Sequence, residues 1–395
     1  GAPLLLGASA EAPLEDELSL LQQSVRVRGP GAEAGFASRR HVPVPSLVVD
    51  LDVAPERRWG NVTRHYKGLG VFPECCAVGV AERRSLMSLF ESIPLSEEYR
   101  RELEGIAADV NDPRLTVEDL VLNNFGYELT GLKRVSPLGL MRRAARLISE
   151  SAGKPRAELL SAVGSALEAA GGLDAGPSFG CSGVLAAMPD GTVVHGRNMD
   201  YGHMEIDVNG TKLRWPEVSV EVTFVRGGKP LIVSTQWPGL TGFHTAMRFG
   251  GWSFEQNTRN HNMATNLLYG AVKHSQGFMH RAREVMESTP DFQTAVQRIY
   301  DSNLMAPQYF VVAGARPFEG AVLTIDRGGE HRSLGSGTPP PLRLSSTPPG
   351  ASGSTWYLLQ TNDDHFEEAR DDRRPEEMQR LPAPRPGNVP PQGMM

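Results

Sequence analysis

The sequence predicts an α+β protein, and three kinds of stretch predict it. Val49-Asp50-Leu51-Asp52-Val53 alternates apolar and acidic residues, as a strand with one wet face does. Residues 84–128 carry apolar positions at helical spacing, and two more amphipathic stretches follow at 138–150 and 156–170. From Cys181 onward the pattern turns to short apolar runs divided by turn signals, as strands require.

Each element has a local reason. Leu47 to Val53 reads as a strand, and Ala54-Pro55-Glu56-Arg57-Arg58-Trp59 as a turn that opens a helix. Pro94-Leu95-Ser96-Glu97-Glu98 puts a capping hydroxyl ahead of acidic first-turn residues, so a helix is expected to start there. The stretch at 138–150 sets Arg142, Arg143 and Arg146 beside Leu140, Met141, Leu147 and Ile148. It reads first as a solvated helix packed on the domain, and as its alternative contact with a membrane surface. Further strands are expected at Cys181–Met188, Thr192–His195, Val218–Val225, Pro230–Thr235, Tyr309–Ala313, Ala321–Ile325 and Trp356–Thr361, with one helix over 281–304. Residues 335–354, rich in Pro, Ser and Gly, read as a flexible loop, and the Pro-rich stretch after Pro382 as disordered.

Composition narrows the function. With 395 residues the chain has room for two or three ordinary domains or one large single-core enzyme. A formal net charge of -6 calls for no nucleic-acid partner. No run approaches the roughly 18 apolar residues of a membrane span. Residues 1–40 are polar and uneven and read as a disordered leader. Within it, an apolar run ending in Ala8-Ser9-Ala10 fits the close of a secretory signal and equally the edge of a longer chain. The sequons Asn61-Val62-Thr63 and Asn209-Gly210-Thr211 are compatible with the secretory route. The cysteines are Cys75, Cys76 and Cys181. Adjacent cysteines rarely bond to each other, so no disulfide framework is expected, and no metal spacing or cofactor motif occurs.

The chemistry converges on one hairpin. If Asp190-Gly191 are the two central turn residues, Cys181 lies opposite Asp200, with Arg197 nearby. Positions 197 and 200 of a regular strand point to opposite faces, so the strand must end or bulge near Asn198 for both to reach the thiol. A guanidinium favours the thiolate, the nucleophilic form, and a carboxylate can orient the attacking group. A cysteine in an apolar run is ordinarily a buried, inert one.

Cys181-Ser182-Gly183 followed by His195-Gly196-Arg197-Asn198-Met199-Asp200 resembles the acid ceramidase and N-acylethanolamine acid amidase group, within the choloylglycine-hydrolase-like class of N-terminal-nucleophile hydrolases. Gln360-Thr361-Asn362-Asp363-Asp364-His365 and Asp371-Asp372-Arg373-Arg374 are similar to the group's later motifs. Asp50-Leu51-Asp52, Pro55-Glu56-Arg57-Arg58-Trp59, Gly105-Ile106-Ala107-Ala108 and Tyr127-Glu128-Leu129 are similar to its N-terminal subunit. The resemblance implies a four-layer αββα sandwich and a cut between Gly180 and Cys181. It divides the chain into a 41–180 subunit-like segment with an inserted helical stretch at 130–178, a catalytic domain at 181–376 and a disordered tail at 377–395. It makes Cys181 the nucleophile, with its own freed α-amine as general base, so His195 is structural. Asp200 would hold that amine, Arg197 would favour the thiolate, Asn362 would donate to the oxyanion and Arg373 would support the site. Asn257 and Thr258 become substrate-binding candidates. The implied substrate is a lipid amide, either an N-acylethanolamine or a ceramide, and the implied partner is the chain's own N-terminal fragment. The implied location is lysosomal or secreted.

Three features depart from the group. About fifty residues separate Leu129 from Cys181 where the group has few. Asn257-Thr258-Arg259 replaces an Asn-Glu-Arg motif, so an acidic group near the pocket is expected to be lost. The sequence stops soon after Arg374, where the group continues. The alternative functions are a bile-salt or penicillin-type amidase and a catalytically dead lipid-binding relative.

Overall fold

The computed structural model describes residues 44–77, 93–129, 180–200, 205–259, 273–329, 340–347 and 352–365, with positions 266, 269, 270, 332, 333, 336 and 337. The expected leader, the helical insertion at 130–178, the tail and Arg373 lie outside the described residues.

The N-terminal segment is one strand followed by helices. β1 (Ser46–Asp50) ends sooner than expected, because Asp50 Oδ1 accepts from Asp52 N at 2.9 Å and turns the chain. Short α1 (Pro55–Arg58) and α2 (Gly60–Gly68) follow. α3 (Glu97–Val110) starts where expected, with Ser96 Oγ accepting from Tyr99 N at 3.2 Å and Glu97 and Glu98 facing the positive end of the helix dipole. α4 (Val117–Asn124) opens with a reciprocal cap between Thr116 and Asp119, and α5 (Gly126–Leu129) closes the segment. α1 and α3 approach so closely that a methyl group on Gly105 would overlap the Glu56 carbonyl. A backbone carbonyl cannot swing aside as a side chain can. Gly105→Ala is therefore expected to cost about 1–3 kcal/mol, read as a lower denaturant midpoint with an unchanged slope.

Cys75 and Cys76 are bonded to each other, which corrects the expectation drawn from their adjacency. The turn after α2 brings them together, with Cys76 N and Ala77 N both donating to Pro73 O at 2.9 Å.

After the hairpin of β2 (Gly180–Ala187) and β3 (Val193–Asp200) come a short pair, β4 (Glu205–Val208) and β5 (Thr211–Arg214), and then the main sheet. Its later strands are β6 (Val220–Arg226), β7 (Lys229–Gln236), β8 (Thr245–Arg248), β9 (Trp252–Thr258), β10 (Gln308–Gly314), β11 (Gly320–Ile325) and β12 (Leu342–Arg343). The eight-stranded order is β1-β6-β7-β8-β9-β10-β11-β12, with β1 parallel to β6 and each later neighbour antiparallel. A second sheet has the order β13-β2-β3, where β13 is Tyr357–Gln360. The single helix expected at 281–304 is two, α6 (Phe278–Ser288) and α7 (Phe292–Tyr300). Pro290 drives Thr289 out of the helical region, to φ -128° and ψ 105°, and Asp291 caps the second helix.

The two sheets face each other, with the helices on the other side of the large one. On β10, Phe310 and Val312 belong to the core shared with α6 and α7, which includes Phe278, Val285, Phe292 and Ile299. The alternate residues Val311 and Ala313 pack with Leu185, Ala187 and Leu358 of the small sheet. That double covering explains why β10 and β11 are apolar runs without alternation. Among the described residues the layers are α/β/β in a mixed α/β molecule.

Candidate active site

The β2–β3 hairpin is offset by one residue from the expected register. Pro189, Asp190 and Gly191 form a three-residue turn, closed by Gly191 N to Met188 O at 2.9 Å and Met188 N to Thr192 O at 2.7 Å. Gly191 adopts φ 90°, a conformation open to glycine at little cost. The additional turn residue moves every partner: Cys181 faces Met199, Gly180 faces Asp200, and Gly183 faces Arg197. β3 also runs unbroken to Asp200, without the bulge expected near Asn198. Cross-strand partners share a face of the sheet. Cys181, Gly183 and Arg197 are therefore on one face, the one turned toward the large sheet, and no distortion is needed to bring the arginine near the cysteine.

Cys181 is the free cysteine among the described residues and is 1% exposed. Its backbone N donates to Asn362 Oδ1 at 2.8 Å, while Asn362 Nδ2 donates to Thr258 O at 2.7 Å. The two neighbours fix the amide's orientation, since one is a donor and the other an acceptor. The expectation made Asn362 an oxyanion donor. Here its carbonyl end holds the backbone nitrogen of Cys181.

The large sheet supplies the wall opposite Cys181. Arg197 Nη1 donates to Gln256 O at 2.9 Å and lies 3.5 Å from Glu255 Oε2. Glu255 is fully buried, and burial pushes its carboxyl up to about 8 against the pull of Arg197. Thr258 brings no acid here, but Glu255, three residues upstream, sets a carboxyl beside Arg197. His195, on the same strand as Arg197, has Nδ1 2.8 Å from Ser253 Oγ. Burial, and then Arg197, push it down to about 4.

Asn257 and Thr258 do not line an open channel in this form. They are 0% and 1% exposed, and Asn257 Nδ2 donates to Gln360 O at 2.9 Å. They tie β9 to the end of β13. Arg259 completes the tie by clasping Asp364, with Nε to Oδ1 at 2.7 Å and Nη2 to Oδ2 at 2.9 Å. Tyr309 donates its hydroxyl to the same carboxylate at 2.7 Å, and Asp326 contacts the guanidinium as well. Sequence reasoning quoted both motifs, 257–259 and 360–365, but not the Arg259–Asp364 bond that joins them. It also missed Glu255, whose signal was a lone charge between Phe254 and Gln256 in a segment not read as a strand. The side chain of Asp200, and all of Arg373, lie outside what is described.

No protein-family model matches the chain. The N-acylethanolamine-hydrolyzing acid amidase of Rattus norvegicus is 26% identical to it over 355 residues, 84% of this chain and 74% of that protein. The acid ceramidase of Mus musculus is 25% identical over 347 residues, 84% of this chain and 73% of that one. This chain is a relative of the N-acylethanolamine acid amidases and acid ceramidases. Among solved structures, the Caenorhabditis elegans N-acylethanolamine-hydrolyzing acid amidase ortholog is 25% identical, with a TM-score of 0.40, and covers 51% of this chain and 78% of that one. The two rodent relatives carry hydrolase names, and both matches run through the N-terminal segment as well as the sheets, given the share of this chain they span.

Proposed function

We propose that this relative of the acid amidases and ceramidases is a self-processing cysteine amidohydrolase that releases a fatty acid from a lipid amide, an N-acylethanolamine or a ceramide. The observation that carries the reading is the contact between Cys181 N and Asn362. It fits a site in which the nitrogen of the nucleophile residue has a task of its own.

In the processing step the Cys181 sulfur attacks the carbonyl carbon of Gly180. The C–N bond breaks, the acyl group passes to sulfur, and the nitrogen takes a proton to become a free amine. Water then cleaves the thioester, leaving a Gly180 carboxylate and the thiol. In turnover the freed amine accepts the thiol proton and the thiolate attacks the substrate carbonyl. The departing amine takes that proton back, and water releases the fatty acid. We assign the Asn362 carbonyl oxygen to orienting the Cys181 amine and keep its amide nitrogen, which has two N–H donors, as the oxyanion donor that the resemblance implies. Arg197 favours the thiolate, and Asp200 and Arg373 complete the set by resemblance. The 1% exposure of Cys181 suits a precursor whose thiol is kept from solvent.

The half-buried outer face of the small sheet, with Val184, Tyr357 and Leu359, supports a fourth, helical layer over it. The bonded Cys75–Cys76 pair and the exposed sequon residue Asn209 support a secretory or lysosomal location. The N-terminal fragment stays as a subunit in this reading.

The test is a denaturing gel after acidification, with N-terminal sequencing of the products. Side-by-side release of fatty acid from ceramide and N-palmitoylethanolamine accompanies it. Wild type is expected to give a fragment beginning at Cys181 and to turn over one of the two lipids, and Cys181→Ala is expected to do neither. Equal fatty-acid release by wild type and variant rejects the mechanism.

A further inference from the structure

Glu255 stands in a place that requires an explanation. It is fully buried, and among the described residues neither carboxyl oxygen has a hydrogen-bond partner, with Arg197 Nη1 3.5 Å from Oε2. Leaving a buried carboxyl so poorly satisfied costs about 1–3 kcal/mol or more. Nothing in the packing demands the charge, since its cross-strand neighbours are Thr245 and Val311. The carboxyl lies in space that Gly183 leaves open. A methyl group on Gly183 would overlap Glu255 Oε1 and would also crowd Val311 Cγ2 at 2.9 Å. Gly183 is two residues from Cys181, on the same face of β2, and pairs across the hairpin with Arg197. A strand that carries the nucleophile has thus given up a side chain at the one position where the opposite sheet inserts an acid.

The charged and titratable groups around this carboxyl are few. Arg197 faces it from β3 at 3.5 Å, and His195, also on β3, is held by Ser253. His244, just ahead of β8, is fully buried near Arg197. Arg197 Nη1 is anchored to Gln256 O, while its Nη2 is buried without a partner among the described residues. The guanidinium is therefore held at one end by the Gln256 carbonyl, with the Glu255 carboxyl 3.5 Å away. The other end remains for a group that the described residues do not supply.

We infer that Glu255 is a positioning residue for Arg197, seated in the gap left by Gly183, and that it aims the unpartnered end of the guanidinium at the reacting sulfur. The inference rests on the hydrolase reading above. It differs from what the resemblance implies, because the acid comes from position 255 and not from the middle of the Asn257-Thr258-Arg259 motif. Whether neutral or ionised, the carboxyl offers the guanidinium an acceptor oxygen. An amide in its place does the same, and an apolar side chain does not.

The test compares processed wild type, Glu255→Leu and Glu255→Gln, with unprocessed Cys181→Ala as the inactive control. Glu255→Leu is expected to lower kcat by roughly 10- to 100-fold with KM little changed, the loss that a misplaced group produces. Glu255→Gln is expected to restore kcat to within about threefold on the acid side, and to lack the fall in activity expected of wild type as the carboxyl ionises and draws Arg197 onto itself. Gly183→Ala, which displaces the carboxyl, is expected to reproduce the Glu255→Leu defect. A folded Glu255→Leu protein with wild-type kcat overturns the inference. If that variant does not fold, identical pH profiles for Glu255→Gln and wild type overturn it. In both cases the hydrolase reading stands, provided Cys181→Ala is inactive. Absence of Cys181-dependent turnover in wild type sinks both together.

Discussion

Glu102→Ala is expected to destabilise the protein by about 3–5 kcal/mol, the loss seen when one partner of a buried ion pair is removed. Glu102 is fully buried and binds Arg283 twice, at 2.5 Å and 2.8 Å, while Trp59 Nε1 and Arg58 Nη1 donate to it at 2.9 Å and 3.0 Å. Burial alone would raise its carboxyl, but Arg283, Trp59 and Arg58 together hold it below the usual range. Arg283 is also fully buried, with Tyr99 and Phe224 4.8 Å and 5.2 Å from the guanidinium. Removing the carboxylate leaves that cation paired only with Glu287 and the Thr241 carbonyl. Since whole domains are stable by only about 5–15 kcal/mol, the effect is a large share of the total. Urea denaturation at neutral pH measures it, and Glu102→Gln, which keeps acceptor and shape, is expected to lose less. The pair also joins residues on opposite sides of the Gly180–Cys181 bond. In processed protein Glu102→Ala is therefore expected to let the two pieces part on gel filtration. A midpoint shift worth less than about 0.5 kcal/mol would show that this cluster holds nothing together.

Stability is expected to peak at about pH 6, because two sets of buried groups pull in opposite directions. Glu255 is pushed up to about 8 and Glu128 to about 7, both mainly by burial, from an ordinary 4.5. For these raised carboxyls the folded state favours the neutral form. Their contribution is complete below 4.5 and is lost as pH climbs through 7 and 8. His195 is pushed down to about 4, and His244 and His280 to about 3, again first by burial. For the depressed histidines the contribution is complete above 6.5 and is lost as pH falls toward 4 and 3. Between 4.5 and 6.5 the three histidines outweigh the two glutamates, so stability falls on acidification. Above 6.5 the glutamates outweigh the histidines, and on the order of 1 kcal/mol net is lost by pH 8. Thermal melts from pH 4 to 9 in one ionic strength check the dome. Glu255→Gln is expected to flatten its alkaline side, and melting temperatures that rise steadily from pH 6 to 8 would contradict the account.

The sequence was informative where a residue's effect is local. Ser96 announced the start of α3 because an N-cap acts within three residues, and alternation after Cys181 announced strands because a sheet face has period two. The helix expected at 281–304 failed at Pro290, a local signal that was present and unused. The hairpin failed by a single residue, since Pro189-Asp190-Gly191 closes a three-residue turn as readily as Asp190-Gly191 closes a two-residue one. That slip moved Asp200 from Cys181 to Gly180, which a reading of residue types could not detect. Glu255 was beyond reach for another reason. Its environment is made by Gly183 and Arg197 on a different sheet, and sheet-to-sheet contacts leave no periodic trace in either strand.

Cys181 and its partner Asn362 are 181 positions apart along the chain. During synthesis the nitrogen's acceptor therefore arrives among the last described parts of the fold, together with the β13 strand that completes the small sheet. A nascent polypeptide that has formed β2 and β3 still lacks the grip on Cys181. In the self-processing proposed above, that order of assembly is a safety catch, delaying the irreversible break until Asn362 has folded back.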